Sequence, residues 1–346
     1  MYTRDERKGR DLYITSFHRG LNFFTPKDAL QDGMLADGSN FRVKGQRVVP
    51  PKGLTTTIVE DTGGAIYALI PFEDNLVIML EDEAWKLHGG ALTEITPTGG
   101  FPESATRWSS TVALLFGEPY LIVGSYGVNP FYKWNSTLSG LAEMDTTPFA
   151  RASIGYRGRL VLGNVYDDSA AEWCPFRLQW SEINDFETWE TGTAGFYDFV
   201  SSADEIRGFL VLPEDVLVVL RSETCCLGYP TGDAYDPLSL RLLARVGLYD
   251  AGTLQSFGTG GFFLGTDDVY RVDAAGLQSI GLAVRDQILS NAFGATLWSF
   301  LDVASKEYYL VVDSTAWIYN YEENTWSTCD MGTITCLGGW YATSIP

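Results

Sequence analysis

Short apolar runs rich in Val, Ile, Leu, Phe, Tyr and Trp recur along this sequence, separated by tight polar turns. Runs of four to eight such residues between turn signals predict β-strands. IYALIPF, EDN, LVIML, AWKLHG and ALTEITP (66–97) read as four successive antiparallel strands. The theme returns in STVALLF, GEP, YLIVGS, PFYKWN, GLAEM (110–144), and in ARASIGY, RG, RLVLGNVY, PFRLQWS with a tail at ETWET (150–191). It returns again in EIRGFLVL, PED, VLVVLRS, TCCLGY, LSLRLLARV (205–246) and in GTLQSF, GTG, GFFLGT, DVYRVD, LQSIG (252–281). The last unit is LWSFLDV, ASK, EYYLVVD, AWIYNY, TWSTC (297–329). The turn residues Asn75, Glu118, Gly158, Asp215, Gly260 and Lys306 stand 43, 40, 57, 45 and 46 positions apart. That is the period of one four-stranded propeller blade, roughly 40–50 residues. One such unit cannot bury both faces of its own sheet, so the units must stack around an axis.

The pattern therefore predicts an all-β, six-bladed β-propeller of four-stranded antiparallel blades over 61–346. A strand at 332–341 is expected to close the ring and remove an open edge. Residues 1–60, rich in Gly, Pro and charge, do not fit the repeat and are expected to form an extended N-terminal docking arm, with a turn-rich patch at DALQDGMLADGSN. VRDQILSNAF (284–293) is the one helical pattern in the propeller, with Val284, Ile288 and Leu289 on one face.

Composition narrows the class. At 346 residues and 45% hydrophobic content, the chain can bury a sizeable core. No apolar run reaches the roughly 18 residues of a membrane span, and MYTRDERKGRDLY lacks the apolar stretch of a secretory signal. Cys174, Cys225, Cys226, Cys329 and Cys336 form no C-x-x-C or Cys/His ligand pattern, so buried free thiols are expected. The net charge of −20 is unevenly placed: residues 1–60 carry +3 and the remainder −23. A body so acidic cannot grip a phosphate backbone, because affinity for DNA rests largely on cationic neutralisation. It could line a passage along which DNA slides unbound.

Candidate chemistry is sparse. The two histidines, His18 and His88, belong to no metal or nucleophile motif, and 44 carboxylates make any chosen pair uninformative. GTGG (258–261) lies between strands and reads as a hairpin turn rather than a phosphate cradle. The carboxylates of YDDSAAE (166–172) read as a solvated loop, and NYEENTWS (320–327) carries only the Thr-Trp of a sialidase-type turn. No catalytic, cofactor-binding or metal residue is expected.

What remains is contact surface. FRLQWSEINDFETW (176–189) concentrates aromatic and charged residues in a loop-rich insertion. Trp, Tyr and Arg dominate interface energetics, so Trp173, Arg177, Trp180, Phe186 and Trp189 are candidate interface residues, with Asn22, Phe23, Phe24, Arg42 and Arg47 in the arm. On that reading Trp180→Ala or Trp189→Ala reduces assembly more than folding.

GLNFFTPKDALQDGMLADGSNFRVKGQRVVPPKGL (20–54) resembles the opening of bacteriophage β-propeller tail proteins, in which a Gly-hydrophobic-Asn start precedes L-x-D-G…N-x-R and a basic Pro-Gly segment. RASIGYRGRLVLGNV (151–165) is similar to that family's N-R-L-F-L-G-N strand pair. FRLQWSEINDFETWE (176–190) is similar to its R-V-R-W-S-D-I-N-D-P-E-D-W stretch, with Phe186 where Pro is common. VYRVDAAGLQSIGLAVRDQI and YYLVVDSTAWIYNYEENTWS resemble its last two blades. The resemblance implies a structural virion component, the nozzle or tube of a short tail, assembled in the host cytoplasm. It implies a homo-oligomeric ring of six subunits between adaptor or portal-side and distal tail proteins, through which DNA passes without specific binding. This chain lacks the inserted platform domains of longer members. Two rival readings are a glycan-binding or glycan-cleaving propeller at a tail tip, whose central funnel would hold converging carboxylates with exposed Trp or Arg, and a protein-binding propeller of cellular origin.

Overall fold

The computed structural model describes residues 19–27, 29–31, 33–44, 47–50, 64–199 and 204–332. A short hairpin in the arm, β1 (Arg42–Lys44) and β2 (Arg47–Val49), precedes six four-stranded antiparallel sheets. The first blade is β3 (Ala68–Phe72), β4 (Asn75–Met79), β5 (Ala84–His88) and β6 (Ala91–Glu94). The second is β7 (Ser109–Leu115), β8 (Glu118–Gly124), β9 (Tyr132–Trp134) and β10 (Ala142–Glu143). The third is β11 (Ala150–Tyr156), β12 (Arg159–Asp167), β13 (Glu172–Trp180) and β14 (Gly195–Asp198). The fourth is β15 (Ile206–Leu212), β16 (Val216–Arg221), β17 (Cys225–Pro230) and β18 (Leu238–Ala244). The fifth is β19 (Gln255–Ser256), β20 (Gly260–Leu264), β21 (Val269–Asp273) and β22 (Gly276–Ser279). The sixth is β23 (Leu297–Asp302), β24 (Glu307–Val312), β25 (Thr315–Asn320) and β26 (Thr325–Asp330). This is the expected six-bladed propeller. The expected helix is α1 (Arg285–Ala292), in the linker between the fifth and sixth blades, with Ile288 buried and Val284 just before it also buried.

The second strand of each blade is mostly buried, apart from exposed Glu118 and Pro119 at the start of β8. Neighbouring blades cover both of its faces, so it reads as an unbroken apolar run instead of alternating. Cores fill the gaps between successive blades: Phe72, Leu121 and Trp134 between first and second, Ile122, Leu162 and Phe186 between second and third, Val161, Phe209 and Leu217 between third and fourth. Each such side chain, fully buried, contributes about 1.5–3 kcal/mol. At the axis the inner strands of the second and third blades approach so closely that a Cβ on Gly155 would lie 1.8 Å from the Val112 carbonyl oxygen. Glycine is required there, and its N–H donates to Thr111 Oγ1 at 2.7 Å.

The described arm packs on the sixth blade. Leu21 N donates to Trp326 O (2.8 Å), Phe41 N to Thr328 O (3.2 Å) and Asp330 N to Asn40 Oδ1 (3.0 Å). The outer edge of β26 is thereby covered, which blunts a template for unwanted strand pairing. The turn-rich patch of the arm contains bends and a bridge between Leu21 and Leu35. Among the described residues no hydrophobic cluster spans the sixth and first blades. The closing strand expected over 332–341 lies, apart from Gly332, outside the described residues. Cys174, Cys225, Cys226 and Cys329 are free and buried, while Cys336 also lies outside the described residues.

Candidate functional site

The segment singled out for contact divides in two. Its aromatic residues turn inward. Phe186 is 0% exposed and meets Tyr120 edge-on at 5.7 Å. Trp180 is buried between the third and fourth blades, its Nε1 donating to Thr193 O at 3.1 Å. Trp189 is buried between the second and third, its Nε1 donating to Thr147 Oγ1 at 3.3 Å. These three are corrected to core residues: the faces of two blades in one chain need the same aromatic filling as a subunit interface. Arg177 also serves its own blade. Its guanidinium grips Asp198 with Nε (2.8 Å) and a terminal nitrogen (3.0 Å), reaches Asp167 at 2.7 Å, and lies 4.2 Å over Phe196. Asp198 and Asp167 raise its pKa against the opposing cost of burial. Trp173 is half-buried, edge-on to Tyr166 and beneath Arg151.

The arm residues are redistributed in the same way. Arg42 is buried, with a terminal nitrogen 3.2 Å from Glu307 Oε2. Asn22 Oδ1 accepts from Phe24 N (3.0 Å) and Thr25 N (2.9 Å), closing a turn of the arm itself. Phe23 is half-buried, edge-on to Trp317 at 6.1 Å. Arg42 and Phe23 thus hold the arm to the sixth blade and Asn22 shapes the arm itself, while Phe24 and Arg47 stay on the surface.

Two features with no marked signal in the sequence stand out. The β7–β8 hairpin turns on Phe116-Gly117, both at positive φ (50° and 88°). This two-residue turn favours Asn or Gly at its first position. A bulky L-residue held left-handed costs about 1–2 kcal/mol, and Phe116 is 81% exposed, so burial returns nothing. Its N–H donates to Asn184 O at 2.7 Å, and Asn184 N donates to Gly158 O at 2.6 Å. The tip of the 176–189 segment, with exposed Ile183, is thereby pinned beside Phe116. The signal for it in the sequence is the Phe-Gly pair in LLFGEP, which overlaps the expected GEP turn at Gly117.

The second feature is axial. The inner strands of all six blades enclose a channel of about 680 Å³ whose charged lining, among the described residues, is Arg151 and Arg207. The described lining of the hole therefore carries charge opposite in sign to that of the body. At the end where the inner strands begin, Arg107, Tyr126, Asn164, Glu205, Tyr249 and Asp250 line one side of a funnel at its mouth, and Asp313 lines another. Arg207 is fully engaged: Nε and a terminal nitrogen hold Glu205 (2.9 and 2.8 Å), and the other terminal nitrogen donates to the carbonyls of Leu248 (2.9 Å) and Tyr249 (2.7 Å). A bulge between β12 and β13 places Asn164, at φ 57°, so that its Nδ2 donates to Glu205 Oε2 at 3.3 Å. Arg107 pairs with Asp250 through one terminal nitrogen and lies 5.4 Å over Tyr126. Burial opposes its charge, but Asp250 outweighs that and raises its pKa. Burial pushes the Tyr126 phenol up to about 12, so it stays neutral. Arg151 stacks 4.9 Å over Trp173 and approaches Glu205 only to 3.8 Å.

No protein-family model matches the chain, and no curated protein matches its sequence. Among solved structures it is similar to PorZ of Porphyromonas gingivalis, a surface component of the type-IX secretion system, at 10% identity and TM-score 0.46, over 77% of this chain and 32% of that one. It is similar to the extracellular domain of a putative one-component system of B. thetaiotaomicron at 10% identity and TM-score 0.49, over 74% and 32%. The chain thus spans about a third of the length of these two. A streptogramin B lyase structure is similar at 12% identity and TM-score 0.50, over 78% of this chain and 84% of that one. At such identities the likeness is one of fold: the chain shares the β-propeller architecture.

Proposed function

We propose that this chain is a structural virion component, a ring subunit of nozzle or tube type in a short phage tail, working through contacts with copies of itself and with neighbouring tail proteins. The observation that carries the reading is Phe116. A phenylalanine held left-handed and 81% exposed lowers the stability of the isolated chain, and such local strain persists where function uses it. A second exposed apolar surface lies half a turn away around the six blades. There Phe24 of the arm, Leu282, and Phe293 (91% exposed) flank α1 between the fifth and sixth blades. A closed ring of identical subunits needs two different surfaces on each subunit, one for each neighbour, and these two are placed for that use. The exposed cations Lys27 and Arg47 of the arm are of opposite sign to exposed Glu118, Glu143 and Glu190 on the second and third blades, which favours the head-to-tail pairing.

The test is the mass of the purified chain in solution over a range of concentrations, with negative-stain images of the same sample. A closed annulus is expected. A lone disc at every concentration, both alone and with tail proteins added, would refute the reading.

A further inference from the structure

The axial funnel is not used by that assembly reading, and its residues are not those of a passive hole. Three guanidiniums, from Arg107, Arg151 and Arg207, converge there from the second, third and fourth blades, against two carboxylates, Glu205 and Asp250. With exposed Asp313 on the far side of the same mouth, the described charged groups balance, so any attraction for an anion is local to guanidiniums with unspent donors. Arg207 spends its donors on Glu205 and two backbone carbonyls, so it acts as a brace. Arg107 spends one terminal nitrogen on Asp250, and Arg151 has Glu205 only at 3.8 Å. Both side chains are 47% exposed, and each lies over an aromatic ring, which restricts the freedom of its fork. Two pre-oriented forks with unspent donors are suited to a carboxylate, which accepts paired N–H groups from a planar guanidinium.

The channel below supplies the rest of a binding site. Ser110 and Ser153 bring hydroxyls, the rings of Tyr67, Trp108 and Trp298 bring flat apolar faces, and among the described residues no carboxylate lines it. Its volume of about 680 Å³ lies within the range of small-molecule sites. We propose that this funnel binds a carboxylated sugar, with the carboxylate on Arg107 and Arg151 at the mouth and the hydroxylated ring below, among the serines and the aromatic faces. A polyanion would meet the acidic body on every side.

The site is on the face opposite Phe116, because each inner strand runs from the funnel toward the turn that carries Phe116 in the second blade. Failure of ring assembly and failure of sugar binding are therefore separate results. The experiment is a tryptophan-fluorescence titration of the whole chain with sodium glucuronate and sodium galacturonate, with glucose and sodium acetate as controls. At least one uronate is expected to give a saturable change that glucose does not give and that acetate gives only at far higher concentration. Arg151→Ala should weaken it by about tenfold or more, the loss of one charge-assisted fork. Arg151→Lys, which keeps the charge and loses the fork, should fall between. Arg157→Ala, on the opposite face, should leave it unchanged, with thermal melts showing that each variant is folded. No saturable response to either uronate, equal affinity for glucose or for acetate, or an unchanged affinity in folded Arg151→Ala would each overturn the proposal.

Discussion

Arg42 of the arm and Glu307 of the sixth blade form an ion pair, 3.2 Å apart, with both side chains buried. Glu307 Oε2 also accepts from the Tyr309 hydroxyl at 2.8 Å, and that hydroxyl lies 3.5 Å from Arg42. A segment that looks like a free tether in the sequence is therefore fastened to the propeller by a charge that has left water. Removing one partner of such a pair strands the other in a medium that cannot solvate it, which costs about 3–5 kcal/mol.

Glu307→Gln should accordingly lower unfolding stability in urea by an amount of that order, whereas the double change Arg42→Met, Glu307→Leu should lie much closer to wild type. A small loss for the single variant would show the pair to be solvated.

Trp180→Ala should damage folding first. The ring fills the space between the third and fourth blades and its N–H is spent on Thr193 O. Emptying a site of this size costs about 3–5 kcal/mol, which a denaturant midpoint would register in the isolated chain. Unchanged stability with lost assembly would restore Trp180 to the interface.

Phe116→Asn separates stability from association. Asn-Gly suits the β7–β8 turn where Phe-Gly is strained, so the melting temperature should hold or rise, by the equivalent of about 1 kcal/mol at most. Self-association measured by sedimentation should weaken. A variant that melts lower and associates as well as wild type would remove Phe116 from the contact surface.

Asp167 gives the pH dependence a definite sign. Its carboxylate accepts from Ser169 Oγ (2.5 Å), from Arg177 (2.7 Å) and from the N–H groups of Ser169 and Ala170, and is held well below the usual carboxylate range, by Ser169 first and Arg177 next. A folded pKa below the unfolded value of about 3.9 gives stability that is present above that value and lost as pH falls through the folded pKa. Asp167→Asn should therefore be less stable than wild type near neutrality, and the two melting curves should converge as pH falls from about 4 toward 2. A constant difference across that range would show that the interaction does not depend on the ionised carboxylate.

The blades were legible because their signals are local. An unbroken run such as LVIML or VLVVL, a turn and a second run lie within fifteen residues or so of one another, and the expected units 110–144 and 297–329 became Ser109–Glu143 and Leu297–Asp330. The β7–β8 turn falls on Phe116-Gly117 instead of residues 117–119 because Glu-Pro after Phe-Gly also reads as a turn. The role of Trp180, Phe186 and Trp189 was not legible: composition reports that a segment will be in contact, and the face of a neighbouring blade satisfies that as fully as a neighbouring subunit. Nor was the funnel, since Arg107, Arg151 and Arg207 lie 44 and 56 positions apart in separate units.

The sequence by itself determined the repeat, the number of blades and the acidity of the body, because strand pattern and charge are sums over near neighbours in the chain. Only the tertiary structure decided which aromatics are core, which turn carries an exposed phenylalanine, and which arginines meet at the axis. Those relationships arise when six similar sheets close on one another, and closure joins residues whose separation along the chain carries no information about their separation in space.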